Sequence, residues 1–403
     1  MESLAIIAEF NPFHTGHAHL IHQIRQAAGP EAAIVIIMSG AFVQRGEPAF
    51  FDKWHRAAWA IDGGADVVIE LPAVYALSSA AGFAQGGVTL AARLGCQALA
   101  CGVEGGTAAD FLSLARRAEG LTACLKAAKK FSAGQQLTDA LMAAAPDEAR
   151  LLQQPNALLA FEYARAILKQ ERPMAFLPLL RQGRHGDARL GAPFASASAL
   201  RQAMTAYPDD DSSYISYIVK RVRPSLQGQL AQGAFTDYGR YGDFVAAQNR
   251  LLTPDQLRCL PAFTEGLENR WHRAFMESGS YDQALRSIKT RRYAYSRLCR
   301  MGAYTLLQPS RDLMDCSYEA GPQYARLLAL NGHGAAFLKG AKGQLPVVTK
   351  VRSDASGLSP LGREQLKLDL KASDIQSFCF SKESQRKGHQ DYYHSPFFLS
   401  IQK

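Results

Sequence analysis

Two histidines near the start of the chain have the type and spacing to stabilise a leaving polyphosphate. His14 and His17 occur in the segment E-F-N-P-F-H-T-G-H, residues 9–17, which follows a short apolar run and opens a helical pattern. Amide groups at the start of a helix attract phosphate, and Gly16 lets the backbone approach a nucleotide closely. Both imidazoles can then donate hydrogen bonds to the charge that builds up as pyrophosphate leaves. The segment is therefore predicted to bind the triphosphate of ATP.

A metal site is a competing interpretation, because His14, His17, His19 and His22 lie within nine residues. On a helix, His19 and His22 share a face, whereas His17 and His19 do not. No acidic or thiolate side chains cluster nearby to complete a closed zinc site. We therefore predict no protein-held metal here, and histidines without a function on the surface are the other alternative.

A second polar segment, S-G-A-F-V-Q-R-G-E-P at residues 39–48, ends the second apolar run. Ligands of open α/β sheets bind beyond the carboxyl ends of the strands, so this segment is expected to face the histidines. Arg45 is a candidate clamp for a phosphate or a carboxylate, and Lys53 is a candidate point charge for the triphosphate. In the alternative interpretation, Asp52 caps the next helix and Lys53 is solvated.

The elements that must position these residues alternate along the first 200 positions. Short apolar runs bounded by turn signals are typical of strands that are buried on both faces of a parallel sheet. The runs are Leu4–Ala8, Ala33–Met38, Val67–Leu71, Ala98–Cys101 and Met174–Leu180. Helical patterns lie between them at Leu20–Ala28, Trp54–Asp62, Ser79–Leu94 and Asn156–Lys169. This spacing predicts an α/β fold with a Rossmann-like, open parallel sheet.

The pattern changes after Ala206. Residues 208–213 are rich in turn formers, and helices are then expected at Ser212–Val222, Tyr238–Leu252, Thr264–Glu277 and Arg291–Leu307. A small strand–helix–strand pattern comes last, at Ala325–Leu330, Gly334–Leu338 and Val347–Lys350. The length of 403 residues favours two domains. We predict an ATP-binding domain at 1–206 and a basic, mainly helical domain with a small α/β element at 207–403.

The composition excludes several classes of protein. Hydrophobic residues make up 47% of the chain and charged residues 20%, which is typical of a globular protein and not of a disordered one. No apolar run approaches the roughly 18 residues of a membrane span, and the N-terminus lacks the basic region of a signal peptide. The seven cysteines are scattered and never spaced as CxxC, which argues against disulfides and thiolate metal sites. We expect a cytoplasmic protein without membrane contact and infer no stable protein partner.

The charge is unevenly distributed. Residues 1–206 hold 18 Lys and Arg against 17 Asp and Glu, whereas residues 207–403 hold 27 against 19. A basic second part indicates a polyanion as partner. Tyr293 and Tyr295 are interleaved with arginines, a combination that suits RNA phosphates and an unpaired base. The candidate RNA contacts are Arg291, Arg292, Arg297 and Arg300, and a solvated helix face with core tyrosines is the alternative.

The histidine segment resembles a known signature. H-T-G-H after N-P-F is similar to the H-x-G-H motif of the nucleotidyltransferase superfamily, whose members transfer AMP from ATP. The segment F-A-S-A-S-A-L-R, residues 194–201, resembles the I-S-S-T-x-I-R segment that closes the nucleotide site there. This resemblance implies phosphate contacts from Ser196, Ser198 and Arg201, with an ordinary serine helix cap as the alternative. Gly102 would let the adenosine lie against the backbone, although a tight turn also explains it.

More of the chain resembles one family of this superfamily, the bacterial tRNA(Met) cytidine acetate ligases. The similarity covers most of residues 4–206, through A-E-F-N-P-F-H-T-G-H, S-G-x-F-V-Q-R-G-E-P-A, D-K-W-x-R-A and G-A-D-V-V-I-E-L-P. It resumes at K-T-R-R-Y, residues 289–293, and at R-L-C-R, residues 297–300. Members of the family use ATP and acetate, without acetyl-CoA, to acetylate N4 of the wobble cytidine in elongator tRNA(Met). The resemblance implies the same activity here, with Mg²⁺ accompanying ATP.

The resemblance also implies the residues that contact ATP. They are Ile7, Ala8, Glu9, Phe10, Asn11, Pro12, Phe13, His14, Thr15, Gly16, His17, Ala18, His19, Leu20, Gly102, Asn156 and Arg181. Three places depart from the family pattern: Ala41 replaces the usual Asn, C-G-V-E at 101–104 replaces F-G-S-E, and the segment after Arg181 matches only loosely.

Two other functions fit the sequence. A metabolite adenylyltransferase of the same superfamily would share His14 and His17 but would leave the basic second part unexplained. A non-catalytic RNA-binding protein with a degenerate nucleotide site would explain Ala41 but not the intact His14, Gly16 and His17. No residue can be assigned from the sequence as the base for the cytidine N4 step.

Overall fold

The computed structural model describes residues 2–125, 133–181, 194–290, 293–340 and 345–400. Its strands are β1 (Ser3–Ala8), β2 (Ala33–Ser39), β3 (Val67–Leu71), β4 (Ala98–Val103), β5 (Ala175–Leu180), β6 (Ala325–Asn331), β7 (Val347–Val348) and β8 (Phe397–Leu399). They form one sheet in the order β5-β4-β1-β2-β3-β6-β7, and β8 also pairs with β6. The first five strands are parallel, whereas β6 is antiparallel to β3. The expected α/β fold with an open, mostly parallel sheet is confirmed.

Helices connect and cover the strands. They are α1 (Thr15–Ala28), α2 (Lys53–Asp62), α3 (Ala73–Ala76), α4 (Ala80–Arg93), α5 (Ala108–Leu125), α6 (Ala133–Ala144), α7 (Pro146–Ala149), α8 (Pro155–Leu168), α9 (Ala197–Ala206), α10 (Arg223–Gln232), α11 (Tyr238–Leu251), α12 (Pro254–Arg258), α13 (Leu267–Glu277), α14 (Tyr281–Ile288), α15 (Tyr295–Leu307), α16 (Arg311–Ala320), α17 (Gly332–Gly340), α18 (Val351–Asp354) and α19 (Pro360–Phe378). Within the described ranges, no helix combines the length and the apolar character that a bilayer crossing requires.

Both faces of the sheet are covered, which explains why its strands read as continuous apolar runs. Successive side chains of a strand point to opposite faces. Ala5 and Ile7 of β1 belong to the core that α4 and α8 complete, whereas Leu4 and Ile6 belong to the core that α1 and α2 complete. The carboxyl ends of the parallel strands therefore meet at one edge, where the following loops converge.

Residues after 206 complete the same sheet. Strand β6 pairs with β3, and Glu70 lies opposite Arg326 at the end of this pairing. The strand–helix–strand pattern expected at 325–350 is confirmed as β6, α17 and β7. Side chains of α13 and α15, such as Trp271 and Leu298, belong to the same core as Ile7. The two parts of the chain therefore share one sheet and one core. The division into an ATP-binding part at 1–206 and an RNA-binding part at 207–403 remains a prediction.

The helix expected at 212–222 is wrong. The structure has turns there, with one short 3-10 helix at Ile215–Tyr217, and α10 begins only at Arg223. Tyr214 and Val222 are fully buried, and apolar residues at this spacing imitate a helical stripe. Residues between them, among them Ile215, Ser216 and Val219, form helices weakly. The segment therefore buries its apolar side chains in a series of turns.

Candidate active site

A cavity of about 460 Å³ opens at the carboxyl edge of the sheet, beyond β1, β4 and β5. It brings together most of the residues that the sequence singled out. The lining includes Ile7, Ala8, Glu9, Phe10, Asn11, His14, Gly16, His17, His19, Leu20, Arg45, Gly102, Asn156, Arg181, Ser196, Ser198 and Arg201. Pro12, Phe13, Thr15, Ala18 and Lys53 are not part of this lining. Segments far apart in the sequence thus form one concave site of the size that a nucleotide needs.

His14 and His17 both cap the helix that they begin. The Nδ1 atom of His14 accepts a hydrogen bond from the Gly16 N–H at 3.1 Å, and the Nδ1 atom of His17 accepts from the His14 N–H at 3.3 Å. An imidazole nitrogen that accepts carries no hydrogen, so the ring hydrogen of each neutral histidine lies on Nε2. The cap leaves each ring with one N–H group that can donate to a ligand.

Both histidines are neutral in the free protein. Burial and the positive charge of Arg181 lower the pKa of His14 to about 3. Burial, together with His14 and Arg181, also lowers the pKa of His17 well below its ordinary value. The site therefore offers a bound triphosphate two neutral, oriented donors, and a polyanion is further attracted by the nearby guanidinium.

A second group of polar residues links β4, α8 and the end of β5. Asn156 donates from Nδ2 to Glu104 Oε1 at 2.6 Å and accepts from Arg181 Nη1 at 3.3 Å. The Arg181 side chain crosses directly over Gly102, since a Cβ added there would lie 2.7 Å from the Arg181 Cγ. A side chain at position 102 would displace this arginine, which holds Asn156 at the cavity wall.

The segment at 39–48 closes the cavity from the side of β2. The Gln44 N–H donates to Glu9 Oε1 at 2.7 Å, which fastens the loop to the end of β1. Gly46 has φ +89°, and a Cβ there would lie 2.2 Å from the backbone nitrogen of Arg300 in α15. Arg45 is exposed at the cavity and makes no hydrogen bond to the described residues. The loop is therefore held between the end of β1 and the second part of the chain.

Arg56 connects the strand ends at this edge. In the sequence analysis it appeared only within the motif D-K-W-x-R-A and was given no role. Its fully buried guanidinium donates to the carbonyl oxygens of Glu9 at 2.7 Å, Ser39 at 3.0 Å and Phe51 at 3.0 Å, and also to that of Gly40. Burial lowers the pKa of Arg56 to about 10, so the group stays charged at neutral pH. One side chain thereby joins the ends of β1 and β2.

Lys53 does not lie at the cavity, and its assignment to the triphosphate does not fit the structure. It is buried, and its Nζ atom lies 2.8 Å from Glu70 Oε2 and 2.7 Å from Asp391 Oδ1. Asp391 comes from the far end of the chain, a partner that no local pattern reveals. The alternative that Asp52 caps α2 is confirmed, because its Oδ1 accepts from the His55 N–H at 2.8 Å. Lys53 itself is not solvated.

The serines and the arginine of 194–201 lie at the cavity mouth. Ser196 caps α9, since its Oγ accepts from the Ala199 N–H at 3.1 Å, and it lines the cavity as well. Arg201 donates from Nη1 to the Asn11 carbonyl at 2.7 Å and lies 3.4 Å from Glu47 Oε1. Ser196 can therefore cap α9 and also face a ligand in the cavity, so the two interpretations do not exclude each other.

Of the candidate RNA contacts, the structure describes Arg297 and Arg300, and neither lines the cavity. Arg300 Nη1 donates to the Gln44 carbonyl at 3.2 Å, so this arginine supports the loop over the site. Arg297 lies over the Tyr293 ring and donates to the Ala262 carbonyl at 3.2 Å. Both side chains are half-buried. Arg291 and Arg292 lie outside the described residues, and the helix expected from 291 begins at Tyr295.

Several lining residues were missed by the sequence reasoning. Gln44 and Glu47 belong to the quoted loop but were given no role, whereas Phe83, Leu159 and Tyr163 are helix residues with an ordinary core pattern. They reach the cavity only because α4 and α8 cover the sheet edge. Across the described residues, no three His, Cys, Asp or Glu side chains are grouped as a metal site requires.

Comparison with known proteins defines the class first. A model of the family "HIGH Nucleotidyl Transferase" matches residues 1–391, so the chain has the fold of a HIGH nucleotidyltransferase. The tRNA(Met) cytidine acetate ligase of Syntrophomonas wolfei is 34% identical over 98% of this chain and 99% of its own. That of Leuconostoc mesenteroides is 34% identical over 93% and 94%. The chain belongs to the tRNA(Met) cytidine acetate ligase family.

A solved structure supports this assignment over the whole length. Thermotoga maritima TmcAL bound with alpha-thio ATP superimposes with a TM-score of 0.91 at 29% identity, over 100% of both chains. The apo form of that protein gives a TM-score of 0.92. The resemblance to this family that the motifs indicated is confirmed.

Proposed function

We propose that this protein uses ATP and acetate to form N4-acetylcytidine at the wobble position of elongator tRNA(Met). The observation that carries the proposal is the pair of neutral Nε2–H donors of His14 and His17 in a cavity that also holds Arg181. The printed names of the relatives, tRNA(Met) cytidine acetate ligases, supply the substrate class.

In the first step, an oxygen of acetate attacks the α-phosphorus of ATP, and the bond to the pyrophosphate oxygen breaks. The products are acetyl-adenylate and pyrophosphate. Transfer at phosphorus depends mainly on positioning and on charge stabilisation. His14 and His17 donate to the leaving pyrophosphate, while Gly102, Asn156 and Arg181 hold the nucleotide.

Charged residues at the cavity mouth are proposed to hold the remaining groups. Arg45 and Arg201 suit a phosphate or the acetate carboxylate, and Ser196 and Ser198 suit the β- and γ-phosphates. His19 lines the same wall, with its ring against Phe194 and a buried Nε2 that finds no partner among the described residues. This free nitrogen supports a further contact to the bound nucleotide.

Mg²⁺ is proposed to enter with ATP. This ion prefers phosphate oxygens and water, with only one or two carboxylates from the protein. Glu9 and Glu47 are the carboxylates in the cavity lining, and Glu47 is already paired with Arg201. Such a sparse donor set suits an ion that the triphosphate carries, and the ion would neutralise charge on the leaving group.

In the second step, the cytidine N4 attacks the acetyl carbonyl carbon and AMP leaves. The tRNA is proposed to lie along the second part, which holds 27 basic against 19 acidic residues. Arg291, Arg292, Arg297 and Arg300 are its proposed phosphate contacts. The hydrogen bond from Arg300 to Gln44 supports an approach of the RNA beside the cavity loop.

The test is the release of pyrophosphate and AMP by the purified protein. We expect acetate-dependent exchange of labelled pyrophosphate into ATP, and AMP release that also needs tRNA. Acetyl-CoA should not replace ATP and acetate. A product that retains AMP would indicate a metabolite adenylyltransferase, and RNA binding without pyrophosphate release would indicate a non-catalytic protein.

A further inference from the structure

Glu9, which the resemblance places among the ATP contacts, is a carboxylate of the cavity to which the steps above assign no proton transfer. It follows the last residue of β1 and lines the cavity wall. Its Oε1 accepts from the Gln44 N–H at 2.7 Å, which orients the carboxylate. Among the described residues, no Lys, Arg or His nitrogen lies within ion-pair distance of it. Its second oxygen, Oε2, is therefore left for a ligand.

Most of the other titratable side chains of the cavity are unsuited to accept a proton near neutral pH; His19, whose ring lies against Phe194 and whose Nε2 has no partner among the described residues, is not among them. The Nδ1 atoms of His14 and His17 are occupied by backbone donors, and their Nε2 atoms carry hydrogen. Glu47 is paired with Arg201. Burial raises the pKa of the Cys101 thiol to about 12 and also raises that of Tyr163, so both are protonated.

Glu9 is connected to the second part of the chain through one residue. Gln44 donates its N–H to Glu9, and its carbonyl accepts from Arg300, so a single residue joins the cavity carboxylate to the second part of the chain. On its other side, Glu9 shares the cavity with the two histidines. An RNA base that enters beside the 39–48 loop would therefore reach a cavity that contains this carboxylate.

We propose that Glu9 accepts the proton that the cytidine amino group loses when it attacks the acetyl carbonyl. The N4–C bond forms, the bond between the acetyl carbon and the AMP oxygen breaks, and one N4 proton moves to Oε2 of Glu9. AMP leaves with the bonding electron pair. This role rests on the proposed function and assigns the base that the second step requires.

The surroundings of Glu9 are consistent with this role. Burial raises its pKa above the ordinary value of 4.5, while the Gln44 N–H, Arg45 and Arg201 act in the opposite direction and Glu47 adds to the increase. Arg56 and Tyr163 also face it, from α2 and α8. A carboxylate whose pKa moves towards the working pH is a stronger base and still ionises.

The test separates the two steps in the Glu9→Gln variant. The amide oxygen of Gln can still accept from the Gln44 N–H, so the loop contact is retained and only the basic group is lost. Loss of a general base typically costs about 10²–10⁴-fold. We expect transfer of labelled acetyl from acetyl-adenylate to tRNA to fall by this factor in a single turnover, and to fall at least about tenfold more than acetate-dependent pyrophosphate exchange, which reports any loss of ATP contact.

The pH dependence gives a second readout. In the parent, the transfer rate should increase with pH through the pKa of Glu9 and then level off, and this rise should be missing in Glu9→Gln. Glu9→Asp, which keeps a shorter carboxylate, should recover part of the transfer rate and the rise with pH. Glu31→Gln, an exposed acid before β2, is the matched control and should behave as the parent.

Each outcome decides the proposal. Equal transfer by Glu9→Gln and the parent would overturn it, as would a parallel loss of exchange and transfer, because Glu9 would then only bind or position ATP. If the parent shows neither exchange nor transfer, the proposed function itself fails. A variant that has lost its fold is recognised by lost exchange and a changed circular dichroism spectrum, and Glu9→Asp then provides the comparison.

Discussion

His14 and His17 are each held in one tautomer by a backbone N–H group at the start of α1. The His17 Nδ1 accepts from the His14 backbone, the two ring centroids lie 3.8 Å apart, and the His14 Nδ1 accepts from Gly16. The reciprocal bonds form a capping box at the start of α1. The same two side chains therefore stabilise the helix start and present Nε2–H donors to a ligand.

Replacement of His14 by Asn should separate these two roles. The Asn side-chain oxygen can still cap α1, but no donor reaches the place of Nε2. We expect acetate-dependent AMP formation to fall by about 10²–10³-fold, which is the cost of losing one charge-stabilising donor. Steady-state kinetics with ATP, acetate and tRNA check this, and the melting temperature should stay close to that of the parent.

His14→Ala is the comparison for the cap. It should lose the same activity and, in addition, about 1 kcal/mol of unfolding free energy. His17→Ala should likewise lose about 10²–10³-fold of activity. Activities within a few-fold of the parent in these variants would show that the imidazoles are not phosphate donors.

Acid should destabilise the folded protein through the buried histidines. The pKa of His14 is lowered to about 3 in the folded protein, whereas the ordinary value is 6.5. Between these values the unfolded state binds a proton that the folded state does not, so the free energy of unfolding falls as the pH decreases from 6.5 towards 3. The slope per histidine approaches about 1.4 kcal/mol per pH unit.

Urea unfolding at a series of pH values measures this slope. The His14→Asn variant should lack the contribution of His14 to this slope. Its free energy of unfolding should therefore decrease less steeply as the pH falls. An identical slope in the parent and the variant would mean that His14 is protonated in the folded protein, contrary to its buried environment.

Lys53 should contribute to stability and not to ATP affinity. Lys53→Met leaves the buried Glu70 without its cation and leaves Asp391 with Arg326 alone, at 3.3 Å; breaking a buried ion pair in this way typically costs about 3–5 kcal/mol. We expect this loss in denaturant unfolding, with the Kd for ATP within a few-fold of the parent by calorimetry. Lys169→Met removes an exposed ion pair with Glu119 and should cost less than about 1 kcal/mol. If the Lys53→Met variant were as stable as the parent but bound ATP weakly, Lys53 would be a phosphate contact after all.

Arg297 and Arg300 should affect the RNA step more than the ATP step. Replacing both by Glu puts repulsion where a polyanion is expected, so tRNA acetylation should be abolished. ATP binding should change much less than tRNA acetylation, since neither side chain lines the cavity and only Arg300 contacts its loop, through the Gln44 carbonyl. The charge-matched control is Arg116→Glu with Arg117→Glu on the exposed face of α5. If the Arg297→Glu, Arg300→Glu double variant acetylated tRNA as well as the parent, these arginines would have a structural role and would not bind RNA.

The sequence predicts the parts of this molecule that local patterns determine. The buried parallel strands, the helix that follows His14 and the convergence of the loops at the carboxyl edge all follow from apolar periodicity and motif order. Ser196 illustrates a limit of this reasoning, because its cap and its place in the cavity were treated as alternatives and the structure combines them.

Contacts between distant segments were not predictable from local patterns. Lys53 is bound by Asp391, which lies 338 positions later, and β6 extends the sheet of the first part. Arg56 gives no local sign that it joins two strand ends through carbonyl oxygens, because backbone acceptors leave no trace in the sequence. The false helix at 212–222 arose because buried turns can share the spacing of a helix.

The most direct test of the proposed function is the nucleoside composition of tRNA after incubation with the protein, ATP and ¹³C-labelled acetate. Mass spectrometry should detect N4-acetylcytidine that carries the label, in elongator tRNA(Met), and only when ATP is present. The same reaction with labelled acetyl-CoA in place of ATP and acetate should give none. Labelled product that is absent with ATP and acetate, or that appears without ATP, would contradict an ATP-dependent acetate ligase.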